Sequence, residues 1–344
     1  MLPLKILLFP VSLIYSLIIY IRNKFYDTGI LPSYKISKPV ISIGNITTGG
    51  TGKTPFTIFI AKYFLNKGKK IGIISRGYSR NSQDTIIVCD GENINSNVQQ
   101  SGDELILISE ELIKYFKGNF FVAAGSERVE TSNLLINKFN PDVIILDDAF
   151  QHRKIKRDLD IVLVDAEDFI KNKFINTFTL PAGNLREGLS NLYRADLIIQ
   201  NNKSSEINSI SKLENYNKNN IVIRYKTEYF MDYKNSILQK SNCSAILFSG
   251  IANDNSFIRL VKDWGINITG VNTFPDHHNY TADDINLLEK KYSNNIFITT
   301  EKDFIKIKKF KEFVSDYPVY YLKMKIEITK NKNIVYDKLD ILVK

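Results

Sequence analysis

The sequence predicts an α/β protein: a P-loop NTPase-like, doubly wound, mostly parallel sheet, a second and smaller α/β domain, and an apolar N-terminal helix. Three observations carry that expectation. Short apolar runs recur with helix-length spacers, and their hydrophobicity is continuous rather than alternating, as in strands covered on both faces. One apolar run, Ile41-Ser42-Ile43-Gly44, breaks into Asn45-Ile46-Thr47-Thr48-Gly49-Gly50-Thr51-Gly52-Lys53-Thr54-Pro55, which reads as strand, phosphate loop and helix start. Residues 2–21 are almost wholly apolar apart from Lys5. At 344 residues the chain is long enough for two buried cores.

Taken in order, residues 2–21 are the chain's one candidate membrane segment, with Arg22 and Lys24 behind it. A spanning helix needs about 20 apolar residues, a length this segment barely reaches, with Pro10 inside it. No small-residue cleavage site follows, which argues against a removed signal. The segment reads as a helix lying in or dipping into the inner leaflet, its basic residues at the headgroups; the plain alternative is a terminal helix packed on the core. Residues 54–66 then read as a helix, and 71–75, 85–89, 120–124, 143–147, 161–165 and 197–199 as short, fully buried strands. The Asn, Ser and Lys of 201–220 mark a surface excursion. A second α/β pattern follows: strand 245–249, helix 255–263, strands 296–299 and 319–324. The expected domains are 1–28, 29–235 and 236–344.

The net charge of +9 is compatible with phosphates or an acidic membrane surface, but Lys, Asn and Ile are abundant throughout. No stacking aromatics or recognised module support nucleic-acid binding. Cys89 and Cys243 have no metal spacing and read as thiols of a reducing compartment.

Chemistry is expected at the loop first. Thr48, Gly49, Gly50, Thr51 and Gly52 would wrap a polyphosphate with backbone N–H groups, Lys53 would reach the β/γ-phosphates, and Thr54 would set a hydroxyl on Mg²⁺. The first glycine of the usual G-x-x-x-x-G-K-[ST] pattern falls on Thr47, so the chain enters this loop differently. Asp147-Asp148 ends an apolar strand, as a Walker B acid does, and doubles as an ordinary turn pair. His152 follows as a phosphate contact or a polar loop residue. Asp103, ahead of the apolar helix 105–113, reads as a helix N-cap when taken alone. Asp276-His277-His278 lacks the partners of a zinc site, since only His152 remains among three histidines; a carboxylate–imidazole pair moving a proton fits better. Arg76 with Tyr78, and Arg186 with Glu187, sit in expected loops where arginines grip phosphates.

Together these stretches resemble the tetraacyldisaccharide 4′-kinase family of lipid A synthesis. The matching elements run in order: Gly44-Asn45 through Pro55, Ser75-Arg76-Gly77-Tyr78, Gly102-Asp103-Glu104, Asp147-Asp148-Ala149-Phe150-Gln151-His152, Pro181-Ala182-Gly183, Leu185-Arg186-Glu187, Arg194-Ala195-Asp196, Asp276-His277-His278 and Thr300-Glu301-Lys302-Asp303. The resemblance implies ATP and Mg²⁺ as cofactors. It implies transfer of the γ-phosphate to the 4′-hydroxyl of a tetraacyldisaccharide 1-phosphate, giving lipid IVA at the cytoplasmic face of the inner membrane. It implies Lys53 on phosphate, Thr54, Asp147, Asp148 and Glu187 on the metal side, and Asp103 as catalytic carboxylate paired with His277. Arg76, Tyr78, Arg128, His152 and Arg186 match substrate-side polar positions. Ala149 stands where the family pattern has glycine. No obligate protein partner and no nucleic acid are implied. The rival class is a membrane-recruited switch ATPase of the partition or site-selection type; those proteins place a second lysine before the Gly-Gly pair, where this chain has Thr48.

Overall fold

The structure, a computed structural model, describes residues 7–77, 80, 84–171, 178–207, 210, 213, 215–216, 219–239, 243–292 and 295–343. The chain forms two compact units. The first comprises Met1–Asn202, Glu206–Ile223 and Ile328–Lys344, the second Lys203–Ser205 and Arg224–Glu327.

The first unit opens with helix α1 (Phe9–Asp27), in which Pro10 lies in the first turn, where its missing N–H removes no intrahelical bond. Strand β1 (Val40–Gly44) leads through the glycine loop to α2 (Lys53–Asn66). Then come β2 (Ile71–Ser75), β3 (Ile86–Cys89), the short α3 (Val98–Ser101), α4 (Asp103–Ile113) and β4 (Phe120–Ala124). The series ends with α5 (Arg128–Phe139), β5 (Val143–Asp147), β6 (Leu159–Asp165), α6 (Ala166–Lys171), β7 (Leu197–Asn201) and the start of β8 (Ile221–Met231). Their order in the sheet is β8-β7-β6-β1-β5-β2-β4-β3. All pairings up to β4 are parallel, and the strand runs are buried end to end. That is the expected doubly wound sheet. The crossover after β1 leads one way along the sheet and the one after β5 the other, which opens a crevice at their carboxyl ends.

The second unit contains β9 (Ser244–Ser249), α7 (Asp254–Asp263), β10 (Asn267–Thr273), α8 (Ala282–Tyr292), β11 (Ile296–Thr300), α9 (Glu301–Ile307), α10 (Lys311–Asp316) and most of β12 (Val319–Lys330). Its strand order is β10-β9-β11-β12-β8, with β9 parallel to both β10 and β11, and β11 parallel to β12. Its core gathers Phe248, Tyr280, Phe297, Phe313 and Tyr321. The chain closes with α11 (Lys332–Ile341), which belongs to the first unit; there Tyr336 stacks on Tyr63 at 4.9 Å.

Several expectations are corrected. The run 85–89 is not a buried parallel strand: β3 pairs antiparallel with β4 as the outermost strand, and Ile86 and Ile87 are half-exposed. An apolar run cannot signal its own direction, because burial of side chains is indifferent to which way the backbone runs. The excursion 201–220 is not all surface: Asn202, Lys203, Ile210 and Leu213 are buried. Beyond Lys203–Ser205 the second unit runs from Arg224, inside β8, to Glu327 rather than from 236 to 344, and Ile328–Lys344 returns to the first unit. A long strand shared by two units leaves no compositional break to read.

Candidate active site

The glycine loop is shaped by two kinds of constraint. Gly49 and Gly52 hold φ of +100° and +89°, the left-handed region where a side chain is strained. Gly44 is required by crowding instead: a Cβ there would lie 2.6 Å from Phe150 Cβ, because the chain after β5 crosses directly over it. Gly52 is the N-cap of α2 and offers no side-chain cap, so the first-turn N–H groups meet no protein acceptor from that side. The loop is tied down at its flanks. Asn45 Nδ2 donates to Thr51 Oγ1 at 2.9 Å, Thr48 N to Asn184 O at 2.8 Å, and Asn201 Nδ2 to Thr51 O at 2.9 Å.

Register places the acids beside it, with Ile43 of β1 opposite Asp147 of β5. Asp147 is fully buried; its Oδ1 accepts from Thr57 Oγ1 at 2.9 Å and its Oδ2 has no partner. Burial, and then the nearby Glu104 charge, push this carboxyl well above the ordinary carboxylate range, against the pull of Lys53. Asp148, at φ +49°, turns toward cations: Arg186 Nη1 donates to its Oδ1 at 2.7 Å and Lys53 Nζ lies 3.6 Å from the same oxygen. Burial opposes ionisation there, yet Lys53 and Arg186 hold the Asp148 group below its usual range. Arg128, buried at the head of α5, donates to Gly125 O, and its Nε has no partner. Burial lowers the Arg128 guanidinium to about 10, with the Asp147 and Asp148 charges working against that.

Asp103 is not the cap. Gly102 takes the N-cap position with φ +86°, and Asp103 is the first residue of α4, with its carboxyl buried. Glycine wins that position because the entry angle demands positive φ, and Asp103 gains the favourable end of the helix dipole. Glu187 is also buried, but both its oxygens are occupied. Arg194 Nη2 donates to each at 2.9 Å, Gln151 Nε2 to Oε1 at 2.9 Å, and Asn23 Nδ2 to Oε2 at 3.1 Å. That leaves Glu187 a clamp joining helix and loops rather than an open ligand. His152 is half-buried with an unpartnered Nε2, and burial followed by the Arg128 charge pushes it down to about 4. Arg76 is exposed just past β2, and Tyr78 lies outside the described residues.

In the second unit His277 sits at φ +60°, its N–H bonded to Gly250 O at 3.1 Å and its Nε2 3.0 Å from Lys302 Nζ. His278 is committed elsewhere: Nε2 meets Asp284 Oδ2 at 3.0 Å and the ring stacks on Phe274 at 4.8 Å.

Sequence reasoning missed Asn45, Thr57, Glu104 as a neighbour of Asp147, and the Gln151–Glu187–Arg194 cluster. Asn45, Glu104, Gln151, Glu187 and Arg194 all lie in the stretches that carry the resemblance, but only the sheet brings their side chains together; Thr57 lies outside those stretches.

A doubly wound sheet with a glycine loop and strand-end carboxylates at its crevice defines a P-loop nucleotide-binding protein. The particular kind is given by descent: the chain belongs to the tetraacyldisaccharide-1-P 4′-kinase (LpxK) family, whose model matches residues 4–342. It is 35% identical to the tetraacyldisaccharide 4′-kinase of Chlorobium phaeobacteroides, covering 98% of both chains. With that of Chlorobium chlorochromatii it shares 33% identity over 99% of this chain and 94% of the relative. A solved structure of LpxK from Aquifex aeolicus in complex with ATP superposes with a TM-score of 0.76 at 30% identity, covering 99% of this chain and all of that one.

Proposed function

We infer that the chain transfers the γ-phosphate of ATP to the 4′-hydroxyl of a tetraacyldisaccharide 1-phosphate, forming lipid IVA. The observation that carries the reading is Lys53, set at the uncapped start of α2 and held 3.6 Å from an Asp148 that Arg186 also grips. Phosphoryl transfer asks for positioning and charge neutralisation more than covalent chemistry. Lys53, Arg128 and the α2 N-terminus supply positive charge, and with Arg128 buried and Lys53 nearly so that charge is worth more than in open solution. The unpartnered Oδ2 of Asp147, crowded by the Glu104 charge, fits a hard divalent cation. Thr54, Asp147 and Asp148 would hold Mg²⁺, which when bound screens charge on the phosphate oxygens; Glu187, with both oxygens taken, is left out of that set. Asp103 accepts the proton of the sugar hydroxyl. Arg76, Arg186 and His152 are assigned to the substrate side.

The location proposed is the cytoplasmic surface of the inner membrane, and helix α1 supports contact with a membrane surface. It is amphipathic in reverse: Ser12 and Asn23 are buried, while Ile14 (61%), Leu17 (57%), Ile18 (58%) and Tyr20 (58%) stand exposed. Among the described residues no helix is long and apolar enough to cross a membrane. A helix of this kind lies in the interface, where an acylated substrate resides.

The test is transfer of labelled phosphate from ATP to purified tetraacyldisaccharide 1-phosphate in detergent micelles, wild type beside Lys53→Ala. Phosphorylated lipid from wild type and about a hundredfold or greater loss in the variant are expected. ATP hydrolysis without lipid product would refute the reading.

A further inference from the structure

The inward face of α1 does more than dock the helix. Its polar side chains end on the segments that hold the nucleotide loop and its acid. Asn23 Nδ2 donates to Glu187 Oε2 (3.1 Å), and the opposite oxygen of that carboxylate accepts from Gln151 Nε2 (2.9 Å). The same Gln151 nitrogen donates to Asn45 O (2.8 Å), and Asn45 Nδ2 donates to Thr51 Oγ1 (2.9 Å) inside the loop. Arg22 Nη2 holds the Gln151 carbonyl at 2.8 Å. A second path starts about two turns earlier: Tyr15 Oη donates to Arg186 O at 2.9 Å, while Arg186 N bonds Ile46 O at 2.7 Å and Arg186 Nη1 bonds Asp148. Both paths lie within the first unit and pass through buried or half-buried groups, where a lost partner is costly to replace.

We propose that Asn23 and Tyr15 of α1 are positioning residues of the nucleotide site, acting through Glu187–Gln151–Asn45 on the phosphate loop and through Arg186 on Asp148. The helix that meets the lipid surface thereby sets the geometry of the loop that meets ATP. The inference rests on the nucleotide-site reading above. Ser16 provides the internal control: it sits on the same helix and bonds Thr179 Oγ1 at 2.6 Å, but touches neither path.

The experiment is calorimetric titration of the full chain with a non-hydrolysable ATP analogue and magnesium, without lipid. Binding by wild type carries the nucleotide-site reading, and the ratio of variant to wild type carries this inference. Asn23→Leu is expected to raise Kd about fivefold or more, and the isosteric Tyr15→Phe about threefold, the size of one net hydrogen bond. Asn23→Leu combined with Gln151→Leu should be no worse than either alone, since both break one path. Ser16→Ala should leave Kd unchanged. If Asn23→Leu does not fold, Tyr15→Phe against Ser16→Ala decides. Affinities within about twofold of wild type for Tyr15→Phe and Asn23→Leu, or an equal loss in Ser16→Ala, overturn the proposal.

Discussion

The crevice beside β1 and the outer face of α1 break the usual partition of residues in opposite directions. At the crevice charge is taken out of water: Asp147 and Arg128 are buried, and Lys53 is nearly so. On α1 apolar side chains such as Ile14, Leu17 and Ile18 are left in water while Ser12, Tyr15 and Asn23 are turned inward. Ordinary folding favours neither arrangement, since buried charge must be compensated and exposed apolar surface gains nothing. On the function proposed above, each violation would be met by something outside the chain, an anionic nucleotide with its cation in one case and a lipid surface in the other.

If the comparison is right, substitutions at the crevice strike turnover and those on outer α1 strike membrane partition, with little crossover. The largest effect is expected from Asp103→Ala: transfer falls about a thousandfold, in the range of a lost general base, while calorimetry still shows ATP binding. Near-normal turnover would return Asp103 to a structural role and weaken the crevice half of the contrast. Next comes the backbone under the crevice. Gly44→Ala forces a Cβ against Phe150 and is expected to cost about 1–3 kcal/mol, seen as a lower midpoint in thermal unfolding. On the other side of the contrast, Leu17→Ser with Ile18→Ser should weaken binding to anionic vesicles about tenfold or more, given about 1.5 kcal/mol for each fully inserted aliphatic side chain. Analogue binding should not move; a parallel drop in nucleotide affinity would show that the outer face also shapes the crevice.

A further effect concerns pH. His152 titrates at about 4 in the folded chain, against its usual 6.5 when unfolded, because burial and then Arg128 disfavour its charged form. Between those values the unfolded state binds more protons, so stability falls as pH drops from 6.5 toward 4. His152→Gln should flatten that slope in denaturant melts taken across the window.

Much of this was legible beforehand because it depends on local chemistry. The loop from Gly44 to Thr54, the strand ending in Asp147-Asp148 and the apolar N-terminus each announce themselves by residue type and spacing, and the family resemblance runs through the same stretches. The strands expected at 71–75, 120–124 and 143–147 coincide with β2, β4 and β5. What failed had no local signature. The antiparallel direction of β3, the return of α11 to the first unit and the continuity of β8 across both units follow from pairings distant in sequence. Glu187 shows the same limit, because its type permits a metal ligand and only the arrival of Arg194, Gln151 and Asn23 occupies its oxygens.

By itself, then, the sequence determined the presence of a phosphate loop, its acids and an apolar helix, since backbone freedom at glycine, charge and hydrophobicity are properties of residues. Tertiary structure alone decided that α1 faces inward with Tyr15, Arg22 and Asn23, that Gly44 lies under Phe150, and that Asp147 keeps an open oxygen. Those facts depend on which neighbours compete for each polar atom, and the neighbours are chosen by the packing of the whole sheet.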